Sequence, residues 1–190
     1  MTAKTLAWHW LPDNSCLRYP PHTEVEVGQT LTAEGPLELC ENGMHASLRA
    51  LDALQYAPSA IVCRVELSGE IVEGDDKLCA RHRKVLAMAD ATKTLHEFAC
   101  WCAEQALLRE REAGREPNPR SWAAIEVKRR WLKGEATDEE LYVARAAARN
   151  AAWDAARVAA RVAAWAAARA TQNAKLEEML NALLKEGEEK

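Results

Sequence analysis

Aromatic residues are scarce in this chain of 190 residues: 6% of the total, and unevenly chosen, with seven Trp, three Tyr and a single Phe, Phe98. Glycine (8) and proline (7) are too few for a collagen-like or low-complexity chain. Nowhere do about 18 apolar residues follow one another, which excludes a membrane-spanning helix. Met1–Trp10 lacks a basic stretch followed by an apolar run and a small-residue cleavage site. A secretory signal is therefore not expected, and the expected compartment is the cytoplasm. What the chain does have is alanine, crowded into its last third, and charge that is unevenly spread.

The formal net charge is −4. Residues 1–113 carry 11 basic and 17 acidic side chains, whereas residues 114–190 carry 14 and 12. Within 141–175, five arginines and Lys175 stand against Asp154 alone. Such a stripe attracts an acidic partner, nucleic acid included, and it also keeps an Ala-rich helix in solution. No groove-reading motif accompanies it, so nucleic acid is the lesser expectation.

The six cysteines are Cys16, Cys40, Cys63, Cys79, Cys100 and Cys102. In a reducing compartment they are expected as free thiols packed as small apolar groups. Cys100 and Cys102 are spaced more tightly than an ordinary zinc knuckle. With His96, Cys40 and His45 they would form a zinc set only by convergence of distant segments. No metal and no cofactor is expected.

Residues 4–76 read as mainly β. Candidate strands are Thr5–Trp10, Cys16–Tyr19, Glu24–Val27, Leu37–Cys40 and Ala60–Leu67. In the last, Ile61, Cys63, Val65 and Leu67 alternate with Arg64 and Glu66. Ser68-Gly69 punctuates it before Glu70–Val72. Trp8 and Trp10 share one strand face, read as the core face, with His9 opposite. A helix is expected over Ser47–Gln55, with Ser47 as N-cap after the turn at Asn42-Gly43. After Asp75-Asp76 the apolar period lengthens to 3.6, which predicts helices over Lys77–Met88 and Lys93–Arg111. Asp75-Asp76-Lys77 reads as a solvated turn, or as a phosphate or metal contact. The segment 113–119, with two prolines and a glycine, marks a boundary. Asn118 and Pro119 open the next helix as N-cap and N1, and Gly134 closes it. Thr137 and Glu140 form a capping box for the helix after that.

From Arg145 the chain becomes a four-residue repeat: six units have Ala at positions three and four, each led by Arg or Trp. Four residues advance a helix by about 400°, so the Arg/Trp row winds around the axis. A single helix over 141–184 would be roughly 66 Å long. Either it breaks near Thr171-Gln172-Asn173, or it projects, or it pairs. Trp153 and Trp165 lie about 120° apart on such a helix and are natural interface anchors. With Arg149, Arg157 and Arg161 they are the candidate interaction residues. Leu176, Met179, Leu180, Leu183 and Leu184 form an apolar stripe that requires a partner surface.

The expected fold is α+β. A small mixed β-sheet domain with helices covers 1–113. An all-α region covers 114–190, with a helix at 119–132 and a long or broken Ala-rich helix at about 138–185.

Leu39-Cys40-Glu41-Asn42-Gly43-Met44-His45-Ala46-Ser47, with Ala53–Tyr56, Val62–Val72 and Gly74–Lys77, resembles an N-terminal domain of unknown function found in tailed-phage and prophage proteins. The likeness covers roughly residues 5–110. The Ala-rich tetrads, following the start at 134–141, look like helical tails attached to that domain and resemble segments sometimes labelled putative immunity proteins. The resemblance implies a phage-type accessory protein in a bacterial host cytoplasm. It would bind a host protein or a second copy of itself through the C-terminal helix, without touching membrane. One such use is inhibition of a bacterial defence system such as a CRISPR complex. The turn Gly43–Ser47, the helix to Tyr56 and the strand Ile61–Leu67 also resemble the first half of ADP-ribosyltransferase-like folds. That likeness implies a nucleotide- or NAD-binding enzyme, with Arg18 or His9, His45 and Ser47 holding the dinucleotide. It supplies no counterpart for the late catalytic Glu, and it requires strands where helices are predicted after Asp76.

Overall fold

The computed structural model describes residues 4–155 and 162–188. The fold is α+β. Its described elements are β1 (Thr5–Leu11), β2 (Thr30–Thr32), β3 (Met44–Ala46), α1 (Ala50–Leu54), β4 (Ile61–Glu73), β5 (Leu78–Asp90), α2 (Thr92–Glu112), α3 (Pro119–Leu132), α4 (Asp138–Ala155) and α5 (Val162–Glu188). The chain separates into two compact units. One comprises the residues up to Thr92 together with those from Thr171 onward; the other is Lys93–Ala170.

The first unit is organised by one long hairpin. β4 and β5, 13 residues each, pair antiparallel from Ile61↔Asp90 to Glu73↔Leu78. β1 pairs with the outer edge of β4, and β2 and β3 with the outer edge of β5, all antiparallel. The Ser47 N–H donates to the Trp8 carbonyl at 2.9 Å, and the Trp8 N–H to the Ser47 carbonyl at 2.8 Å. This pair ties the end of β3 to the free edge of β1, so the sheet curls back on itself. Ala7, Leu11, Val25, Leu31, Cys63, Val65, Leu67 and Val85 fill the inner side. Ile61, Cys63, Val65 and Leu67 do face the core together, with Ile61 at its margin. At Ser68-Gly69 the strand continues through a register shift. Gly69 has φ +82, and a β-carbon there would stand 2.8 Å from Arg81 Cβ.

The predicted helix over Lys77–Met88 is strand β5. Its residues are largely good helix formers, but the segment is paired on both edges, and that tertiary context overrides propensity. Asp75-Asp76-Lys77 is accordingly the hairpin turn, where the Gly74 N–H donates to the Lys77 carbonyl. Cys16–Tyr19, Glu24–Val27 and Leu37–Cys40 are not strands; the isolated bridges Cys16↔Glu24 and Glu38↔Asn42 are their only ladder-like pairings among the described residues. Both faces of β1 are covered. Trp8 and Trp10 are buried on one side, while Ala7 and Leu11, on the His9 side, belong to the core.

α1 is only five residues long, with Arg49 rather than Ser47 at its N-cap and no cap from its own side chain. Its free N–H groups are met from α5. The Ala50 N–H donates to Glu177 Oε1 (3.1 Å) and the Leu51 N–H to Asn173 Oδ1 (2.9 Å). Glu177 also acts on the charge of Arg64, whose guanidinium lies 4.4 Å from the Trp8 ring centroid. α5 passes through Thr171–Asn173 without a break. Leu176 and Leu180 are completely buried and Leu184 nearly so. The apolar stripe read from the sequence therefore belongs to the sheet unit.

In the second unit, Asn118 Oδ1 accepts from the Arg120 N–H at 2.9 Å and Gly134 has φ +76 after α3. The Thr137 hydroxyl accepts from the Glu140 N–H while the Glu140 carboxylate accepts from the Thr137 N–H. Phe98, Cys100, Ile125 and Leu141 are buried. Glu104 takes both arms of Arg129, and Trp131 donates to Asp138.

Leu180→Ala is expected to destabilise the protein by about 2–5 kcal/mol, the usual cost of emptying a fully buried leucine site. Chemical denaturation followed through the tryptophans measures it. A loss below about 0.5 kcal/mol would mean that this segment does not complete the sheet unit.

Candidate functional site

The curl of the sheet leaves a cavity of about 460 Å³ in the first unit, in the ordinary range for a small-molecule site. His9, Arg18, His45 and Ser47, the residues implied by the ADP-ribosyltransferase likeness, all line it. Lys77, Arg83, Tyr19 and Tyr56 join them. Five chain segments thus bring basic or aromatic groups to one opening.

The members are held in different ways. Gly43 (φ +135) starts the turn that presents His45, because a β-carbon there would collide with Cys79 Sγ. The Cys40 N–H donates to His45 Nε2 at 3.0 Å, and His45 Nδ1 lies 3.0 Å from the Gly43 carbonyl. Since Nε2 accepts, Nδ1 carries the proton and donates. Both ring nitrogens are spent on the turn, so His45 is a positioning residue and not a free base. Burial lowers its pKa. Ser47 is buried and acts through its backbone pair with Trp8, which corrects the reading of it as a helix cap. Burial, with Arg83 and His45 nearby, holds the pKa of His9 well below the imidazole range.

Arg83 lies at the centre of β5, opposite Leu67 on one side and Leu31 on the other. Only 2% of it is exposed. One Nη donates to the His45 carbonyl at 2.8 Å, but Nε has no partner among the described residues. No acidic group among the described residues offsets its charge, and burial lowers its pKa to about 10. Neighbouring Cys63 is no counter-ion, because burial pushes its thiol up to about 12. The buried Trp10 indole N–H, on another lining residue, likewise has no partner among the described residues.

At the rim, the Tyr56 hydroxyl donates to Asp76 at 2.6 Å, and Lys77 Nζ lies 4.4 Å from the centroid of its ring. Cys40 and Tyr56 beside it raise the lysine pKa. Tyr19 is 70% exposed and Tyr56 44%. The Arg18 guanidinium sits 5.6 Å from the Tyr19 centroid.

Spacing did not single out Arg83, Tyr19 or Tyr56. A strand reading of 78–90 would have placed Arg83 on the side of Val85, two residues on, and marked it as a charge facing the core. The zinc set is not assembled: among the described residues no group of three or more His, Cys, Asp or Glu could hold a metal. His96 instead packs edge-on against Trp131, ring centroids 5.9 Å apart. The described cysteines are free, and Cys63, Cys79 and Cys100 are buried. No described helix is long and apolar enough to cross a membrane. The side chains of Arg149, Trp153, Arg157, Arg161 and Trp165 lie outside the described residues.

The profile of a domain of unknown function (DUF7666) matches residues 12–97. That span holds every lining residue except those of β1, and it omits the α5 segment. No curated protein and no solved structure matches the chain.

His9 and His45 have lowered pKa values in the fold and return to about 6.5 when unfolded. As pH falls through 6.5 the unfolded chain takes up these protons first, so stability is lost on the acid side. The denaturant midpoint should fall between about pH 7.5 and about pH 5.5, and His9→Gln should flatten the slope. A midpoint that stays level or rises toward acid in the wild type would contradict this assignment.

Proposed function

We propose that the sheet unit is a binding module for a small anionic ligand of the nucleotide class, held in the curled-sheet cavity. The observation that carries the reading is the convergence of Arg18, Lys77 and Arg83 with exposed Tyr19 and Tyr56 on one opening. Cations and N–H donors suit phosphate oxygens, and exposed aromatic rings suit a base. The ADP-ribosyltransferase likeness points to the same ligand class through Arg18, His9, His45 and Ser47. Of these, Arg18 is free to touch a ligand, while His45 and Ser47 shape the wall. Glu41 is the one acid among the lining residues. The reading is of binding, with no transfer step assigned.

Titration with adenosine monophosphate and with NAD, read by the fluorescence of Trp8 and Trp10, tests it. Saturable binding at or below millimolar ligand is expected. Lys77→Ala should weaken it about tenfold, the effect of roughly 1.4 kcal/mol. Absence of binding of both ligands at several millimolar would refute the reading.

A further inference from the structure

Within this reading, we infer that Arg83 is the inner seat of the cavity, where the phosphoryl group of a nucleotide-type ligand docks. The inference deepens the proposed function and can fail separately from it.

A guanidinium in a strand interior loses its hydration, and such a charge persists only when paired or ligated. Arg83 is 98% removed from solvent in relative terms, since only 2% of its surface remains exposed. Among the described residues its one side-chain hydrogen bond goes to the His45 carbonyl, with Nε left unpartnered. The nearby titratable groups that interact with it are held neutral. His9 and His45 are pushed toward the neutral form, and Cys63 stays protonated. Glu41, the one acid in the lining, is exposed, and no carboxylate among the described residues pairs with Arg83. A leucine or methionine would satisfy the sheet better, flanked as the position is by Leu67 and Leu31. An anion entering the cavity supplies what the fold withholds.

The chemistry of the donors narrows the class. A phosphoryl group has several acceptor oxygens, which suits a planar guanidinium with donors still free. Lys77 and Arg18 are the further cations lining the cavity, and Tyr19 and Tyr56 expose their rings at its rim. The ligand would thus enter phosphate first, with its aromatic part outside.

Three comparisons on the full chain test this. Wild-type protein should bind adenosine monophosphate at least tenfold tighter than adenosine. Arg83→Met should remove that preference, leaving adenosine binding unchanged, and Arg83→Lys should keep part of it. The melting temperature of ligand-free Arg83→Met should equal or exceed that of the wild type, because an unpaired buried charge has been removed. Inorganic phosphate should compete with adenosine monophosphate; equal affinity of the two would assign the seat to phosphate itself. Equal binding of adenosine and its monophosphate by the wild type would overturn the inference while leaving nucleotide binding intact. So would undiminished monophosphate preference in Arg83→Met, whatever its melting temperature. If Arg83→Met fails to fold, the wild-type comparison and Arg83→Lys decide: an undiminished monophosphate preference in Arg83→Lys would count against the seat. Absence of any binding by the wild type would instead remove the proposed function beneath it.

Discussion

The ladder between Ile61–Glu73 and Leu78–Asp90 is the constraint from which the rest of the sheet unit hangs. β1 takes its register from β4, and β2 and β3 take theirs from β5. Two antiparallel strands joined by a turn are marginal alone; here the added strands and the core they enclose stabilise the hairpin. The hairpin is long enough to carry β3 at one end and β1 toward the other. The chain between them closes through the Trp8–Ser47 pair. The curl that results has an apolar interior along its middle and an opening lined by β1, the Gly43–Ser47 turn and the start of β5.

The groups at that opening are not arranged for stability. Burying Arg83 without an acid costs the fold, and the His45 turn repays only part of it. His45 is locked by Cys40 and Gly43, so its carbonyl is held where one Nη can reach it. The lowered pKa values of His9 and His45 belong to the same economy. Neutral imidazoles beside a guanidinium avoid a second unpaired charge. Buried groups left in this condition cluster where a protein binds or reacts, which is why the cavity, and not the helical unit, carries the proposal.

Much of the architecture could be read from residue order. The alternation of Ile61, Cys63, Val65 and Leu67, the Asn118-Pro119 start, the stop at Gly134 and the Thr137/Glu140 box are local signals, and each appears in the structure. What escaped was decided at a distance. Lys77–Met88 has the composition of a helix and is a strand because partners flank both edges. α1 has no cap of its own because Asn173 and Glu177, more than a hundred residues away, provide it. The candidate site was half legible. Arg18, His9, His45 and Ser47 came from a family likeness and do share one cavity. Arg83 was hidden inside the misread helix, where a charge looks like an ordinary exposed residue.

The central claim is that an unpaired buried guanidinium waits at the base of the cavity for an anion. The most direct measurement is the Nε–H resonance of Arg83 in protein labelled with ¹⁵N-arginine, assigned by its loss in Arg83→Met. The account predicts that this resonance shifts on saturation with adenosine monophosphate and stays in place with adenosine. A resonance unmoved by the monophosphate, at concentrations where the tryptophan fluorescence reports binding, would contradict it.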